Sequence, residues 1–242
     1  MAKWWFLGLL VCLGTGCGRY FPGPINPAPE AQQEAQYVVR DDGSINYIAN
    51  RLEIALRPMS DAELNRQFAG ASEDGANSTN PYTFGNWRPV GDTYTPPKYT
   101  VFMIQVKNYE FPKVRLDPLH AELLSPQAHR QYAPVTLREM IEYYYSLDQA
   151  YTGIDTDIFE ARKDRLIRTL YPDEFVFSGQ ETEGYLVFPA LDPDVLEFEV
   201  YLRDVGIRFD YRSQPVETAD LVFRFQREVE KGYYPSDQMA QQ

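Results

Sequence analysis

Two histidines, His120 and His129, lie nine residues apart with Glu122 close by. Two imidazoles and a carboxylate are ligands a zinc ion takes, but zinc centres want three or four ligands at helical or knuckle spacing. Prolines stand between and around these two, so they read as solvated loop histidines. The acidic run Asp155-x-Asp157-x-x-Glu160 has the look of a calcium loop. An EF-hand needs Asp or Asn at its fifth position and Gly at its sixth, where Phe159 and Glu160 stand. It therefore reads as a helix start, where carboxylates complement the dipole. Asp192-Pro193-Asp194 reads first as turn residues and only then as cation ligands. Neither a Gly-x-Ser-x-Gly elbow nor a Gly-rich phosphate loop occurs. A dispersed carboxylate pair for glycoside hydrolysis is a weak alternative, because any acidic chain offers many such pairs. No catalytic residue, metal ligand or cofactor is assigned.

The aromatics offer more. Tyr143-Tyr144-Tyr145 places three rings about 100° apart on a helix. Tyr144 belongs to the apolar stripe, whereas Tyr143 and Tyr145 either face solvent as a contact surface or lap over the sheet. A turn-rich stretch from Ala71 to Lys98 carries Tyr82, Phe84, Trp87 and Tyr94 and reads as a long surface loop. Trp87 either pins that loop or serves as a stacking platform. Trp87, Tyr82, Tyr94, Tyr143 and Tyr145 are thus the candidate ligand contacts.

The elements that position them are mostly strands. Ile48, Leu52, Ile54 and Leu56 share one parity, and Pro58 is expected to end that strand. Ser60-Asp61-Ala62-Glu63 forms a capping box for a short helix, with Leu64 and Phe68 on one face and Gly70 as its stop. Tyr99 to Asn108 is apolar on both faces and predicts a central strand. Short strands are expected at Val114–Leu116 and Ala121–Leu124. Thr136-Leu137-Arg138-Glu139 is a second capping box. It opens a helix to about Gln149, and a second helix runs to about Leu170, together an αα-hairpin across one end of the strands. Leu196, Phe198, Val200 and Leu202 alternate with polar residues and predict a half-buried strand, sharing one core with Phe102, Ile104 and Val106.

The chain carries 23 basic and 35 acidic residues, a net charge of -12. That excess repels phosphate backbones, so nucleic acid is not expected as a partner, and anionic lipid would not attract it either. Both cysteines lie near the start, Cys12 and Cys17, so no disulfide is expected beyond them.

Lys3, the apolar run Trp4 to Leu13 and the small residues Gly14-Thr15-Gly16 have the layout of a secretory signal peptide, too short to span a bilayer of about 20 residues. Cys17 directly after them resembles the lipobox of bacterial lipoproteins. The resemblance implies a mature N-terminal Cys17 carrying lipid, and Gly18 after it implies sorting to the outer membrane. The segments Thr100-Val101-Phe102-Met103-Ile104-Gln105-Val106-Lys107-Asn108 and Glu183-Gly184-Tyr185-Leu186-Val187-Phe188-Pro189 resemble strands of immunoglobulin-like domains in uncharacterised bacterial lipoproteins. The expected fold is therefore mainly β, an immunoglobulin-like β-sandwich with an inserted αα-hairpin and one short extra helix. Residues 1–16 are expected as signal peptide, 17–44 as lipidated Cys and flexible linker, 45–230 as the sandwich with helical insertion 136–171, and 231–242 as a disordered tail. The expected role is a non-enzymatic envelope lipoprotein that meets a protein partner and holds the membrane through Cys17. The alternative is a carbohydrate or peptidoglycan binder using its aromatics.

Overall fold

The computed structural model describes residues 18–92, 94–151 and 156–235. The expected signal peptide and Cys17 lie outside the described residues. Strands β1 (Arg19–Pro22), β2 (Asn26–Pro27), β3 (Tyr37–Val39), β4 (Ile45–Ala49) and β5 (Leu52–Met59) come first. Helices α1 (Asp61–Gln67) and α2 (Ala69–Ser72) follow, then β6 (Tyr99–Asn108), β7 (Lys113–Arg115), β8 (Ala121–Ser125) and β9 (Arg130–Tyr132). Helices α3 (Leu137–Tyr151) and α4 (Thr156–Thr169) precede β10 (Phe175–Phe177), β11 (Gln180–Pro189), β12 (Glu197–Phe209), β13 (Pro215–Gln226) and β14 (Val229–Gly232).

The protein is mainly β, and its sheets are antiparallel. One sheet has the order β11-β6-β5-β4-β3. The other runs β10-β7-β12-β13-β2, with β8 against β12 and β9 against β8. Alternation explains how they meet. Leu52, Ile54 and Leu56 from β5 and Phe102, Ile104 and Val106 from β6 point inward from the first sheet. Phe198, Val200 and Leu202 from β12 and Leu221, Phe223 and Phe225 from β13 point inward from the second. All twelve belong to one buried apolar cluster, as their parity requires. Leu196 does not join them. It is 47% exposed, because β12 starts one residue later at Glu197.

The other face of β6 and β11 is covered by helices. Val101, Tyr185 and Val187 meet Leu64 of α1, Met140 and Tyr144 of α3, and Leu166 of α4. The helices thus lie on the outer face of the five-stranded sheet rather than across one end. Both capping boxes form. Ser60 Oγ accepts from the Glu63 amide and Thr136 Oγ1 accepts from the Glu139 amide, while each glutamate accepts from its cap residue's amide. Gly70 sits inside α2 rather than ending a helix.

Three other expectations change. The strand expected over Ile48 to Leu56 is a hairpin, β4 to β5, with Asn50 in the left-handed region at φ 54. Pro58 lies within β5 rather than ending it. Beyond Leu56, β5 has lost β4 and keeps only β6 as a neighbour, an edge where proline is tolerated. The expected flexible linker is part of the fold. β1 pairs with β14, β2 pairs with β13, and Phe21 and Ala28 are buried. Gln33 fastens the segment further, donating to the Arg224 carbonyl at 2.9 Å and accepting from the Arg224 amide. Prolines favour extended backbone, which suits edge pairing as well as it suits a spacer. Pairing of β14 also brings Lys231 and Gly232, placed in the expected tail, into the ribbon.

The long loop before β6 is not a surface loop throughout. Ser78, Asn80, Tyr82 and Thr83 are buried, and side chains replace the missing ladder bonds. Asn80 donates to Ser72 Oγ at 2.9 Å and accepts from the Tyr82 amide at 3.0 Å.

Candidate functional site

Ser60 caps α1, so the next residue, Asp61, stands at a fixed place where β5 hands over to the helix. The segment 94–101 passes beside it on the way into β6, and residues 20–26 fold over from the other side. Together they enclose a cleft of about 520 Å³ walled by Tyr20, Pro22, Pro58, Pro96, Pro97 and Tyr99, with Asp61 and Tyr94 in its lining.

Asp61 has no hydrogen-bond or ion-pair partner among the described residues. Burial alone pushes its carboxyl up to about 7, because a desolvated carboxylate without a counter-charge favours its neutral form. Tyr94 is 9% exposed, and its hydroxyl is buried with no hydrogen-bond partner. Burial, then the negative charge of Asp61, push that phenol up to about 12. The ring is held edge-on against Phe21 at 4.9 Å, with the Arg19 guanidinium over both. Its backbone is fixed by the Tyr94 amide donating to Asp92 Oδ1 at 3.0 Å. Buried polar atoms are nearly always paired in folded proteins, so the lone Tyr94 hydroxyl calls for a reason, whereas Asp61 is half-buried and keeps part of its surface in water.

A second cluster lies on the other side of the same segment. Lys98 Nζ donates to Tyr144 Oη at 2.5 Å. The rings of Tyr144, Tyr143, Phe84 and Tyr99 stand 4.4, 4.9, 5.3 and 5.7 Å from it. Burial, reinforced by the Arg162 charge, lowers the amine to about 7. Phe84 in turn contacts Trp87, ring centroids 5.8 Å apart.

The five candidate aromatics are therefore divided. Trp87 and Tyr143 are exposed; Tyr143 stands against Lys98, and Trp87 reaches that cluster only through Phe84. Tyr145 is exposed but turns away, against Phe159 at 5.7 Å. Tyr82 is fully buried with its hydroxyl on Thr169, so it offers no face to a ligand from solvent. Tyr94 lines the cleft but is buried too, its hydroxyl included, so it offers no exposed ring. Tyr144 is core, as its place in the stripe requires.

No family model, no curated protein and no solved structure matches this chain.

The remaining candidates have ordinary surroundings. His120 is exposed, 3.6 Å from Asp204, and His129 is exposed in a left-handed turn. Among the described residues no cluster of three or more His, Cys, Asp or Glu is arranged to hold a metal ion. Asp192 and Asp194 face Arg130, at 3.7 and 3.2 Å. Asp155 lies outside the described residues, while Asp157 and Glu160 stand exposed on α4. Among the described residues no helix is long and apolar enough to cross a membrane.

Asp61 and Lys98 were not visible as candidates. Asp61 reads as one more acidic residue in a helix's first turn, and Lys98 as a loop lysine. What makes them unusual is contact with segments far along the chain, and no local pattern carries that.

Proposed function

We infer that the chain is a non-enzymatic envelope lipoprotein, a binding module anchored to the outer membrane by lipid on Cys17. Two facing antiparallel sheets support an immunoglobulin-like sandwich as its frame. The packing of α3 on α4, through Tyr145 on Phe159 and the buried Arg162–Asp148 pair, supports a helical hairpin inserted at 136–171. The observation that carries the binding role is the cleft with Asp61 and Tyr94 left unpaired inside it. A site that waits for a ligand keeps such groups ready, at a cost to the free protein. Glu63, another carboxylate in the lining, is already tied to Arg57 at 2.8 Å and to Ser60. That leaves a recognition site rather than an acid–base pair.

Position supports the membrane link. Gly18 directly follows Cys17, and β1 begins at the next residue, so lipid on Cys17 brings the body close to the bilayer with no spacer between. The wall of the cleft formed by residues 20–26 then stands beside the anchor. A photo-crosslinking residue at Thr95, on the cleft lining, should capture an envelope partner in cells. The same probe at Val216, at the far end of β13, should not. Equal capture at both places, or none at Thr95, overturns the reading.

Exposed Trp87 and Tyr143, linked through half-buried Phe84 and Lys98, favour a second reading, a glycan platform. Soluble peptidoglycan fragments should then quench Trp87 fluorescence, and an unchanged spectrum at saturating fragment rejects it.

A further inference from the structure

We propose that the β1–β14 ribbon seats itself on the bilayer beside the Cys17 anchor, with Tyr20, Tyr233 and Tyr234 at headgroup depth and the Lys231 ammonium among the lipid phosphates. The inference rests on the reading of Cys17 as the lipid anchor and names the face of the body that then meets the membrane. Its ground is where the ribbon places its side chains.

Pairing sets that placement. Tyr20 stands opposite Lys231, and Pro22 opposite Val229. Opposite residues of an antiparallel pair share a face, and neighbours along a strand alternate. Phe21, between Tyr20 and Pro22, is buried and packs edge-on against Tyr94, so its face of the ribbon is turned to the body. The other face, with Tyr20, Pro22, Val229 and Lys231, is turned away. Tyr20 is 49% exposed. The stem of Lys231 lies on Gly18, the residue after Cys17: a Cβ added there would stand 3.0 Å from the Lys231 Cγ. The Lys231 ammonium reaches over the Tyr20 ring at 5.5 Å. Tyr233 and Tyr234 follow β14 directly, 71% and 85% exposed. The aromatic surface thus continues from the anchor itself.

A tyrosine ring with its polar tip collects at the membrane–water interface, where the ring leaves water and the hydroxyl stays wet. A lysine does likewise, its stem among apolar groups and its charge at the phosphates. The outward face of the ribbon carries one cation and no acid, because Glu228 and Glu230 have the parity of Phe21. That local sign matters in a chain of net charge -12, which anionic lipid otherwise repels. Tyr211, 87% exposed, serves as a contrast. It stands between Asp210 and Arg212 in the turn that joins β12 to β13, at the end of β13 away from β14.

The test uses the lipidated chain in vesicles of phosphatidylethanolamine with a minor share of phosphatidylglycerol. A nitrobenzoxadiazole label is attached at Tyr233→Cys and, in a second sample, at Tyr211→Cys. On vesicles the label at 233 should shift to the blue and be quenched several-fold more than that at 211 by lipids with a headgroup nitroxide. Adding Tyr20→Ser and Tyr234→Ser should abolish both effects at 233 while the chain still floats with the vesicles. Both tyrosines are exposed, so these serines leave the fold intact. Flotation reports the anchor separately. A floating chain with a water-like label at 233, equal signals at 233 and 211, or a signal that survives the serines overturns the seating and leaves the anchor standing. A chain that carries no lipid on Cys17 and does not float overturns both.

Discussion

Asp61 lowers the stability of its own fold at neutral pH. Its carboxyl titrates at about 7 in the folded chain against an ordinary value of 3.8, so between those values only the folded state holds the proton. The stability this gives is fully present below the ordinary value and is lost as pH rises through about 7. Asp61→Asn should therefore stabilise the fold at about pH 8 by on the order of 1–4 kcal/mol, raising the melting temperature there, and change it little near pH 4. Thermal melts at the two pH values check this, and a destabilised variant at pH 8 contradicts it. Lys98 has the opposite sign. It is lowered from 10.5 to about 7, so the unfolded chain alone holds the proton between those values. Stability should thus climb with pH across that window. A carbon-detected NMR titration of the lysine side chains should find one midpoint near 7, and a Lys98 midpoint in the ordinary lysine range rules out the buried aromatic setting. Neither residue announces itself by type or spacing. Tyr94 was legible as a candidate, yet for the wrong surface, because a ring's burial depends on Phe21 and Arg19 more than seventy positions earlier.

At the scale of elements, the regular parts were legible and the irregular ones were not. Both capping boxes form because their bonds span three residues. The alternation of β6 and β12 locates the shared core because period two needs no distant information. The buried loop at 78–83 and the paired segment at 19–33 look like coil, since their backbone bonds go to side chains and remote strands. The helical layer shows how such parts are held. Arg162 is buried, donating to the Ser78 carbonyl at 3.1 and 2.7 Å and to Asp148 at 2.9 Å. Arg162→Met takes the guanidinium from a buried carboxylate and should cost about 3–5 kcal/mol in denaturant unfolding. The exposed Lys163→Ala should stay within about 0.5 kcal/mol. Equal effects would mean that the pair does not fasten α4 to the loop. Where α4 leaves the sheet, the chain crosses Gly184 so closely that an added Cβ would lie 2.5 Å from the Tyr171 Cα. Gly184→Ala should then cost about 1–3 kcal/mol through displaced backbone, and an unchanged melt contradicts that contact.

For the whole molecule, one core joins the two sheets, and the cleft is built where the N-terminal segment closes over it. Phe198→Ala, at the centre of that core, should cost about 3–5 kcal/mol, a large share of a typical domain's stability. Labelled palmitate should enter the wild type and not Cys17→Ser, and equal labelling would remove the anchor. The central claim is that the cleft keeps an uncompensated carboxylate for a partner, trading stability for binding. The most direct measurement compares wild type and Asp61→Asn at about pH 8, each carrying the crosslinker at Thr95, for melting temperature and for adduct formed in cells. The account predicts a variant that melts higher and no longer captures its partner. A variant that melts lower, or captures as well as the wild type, contradicts it.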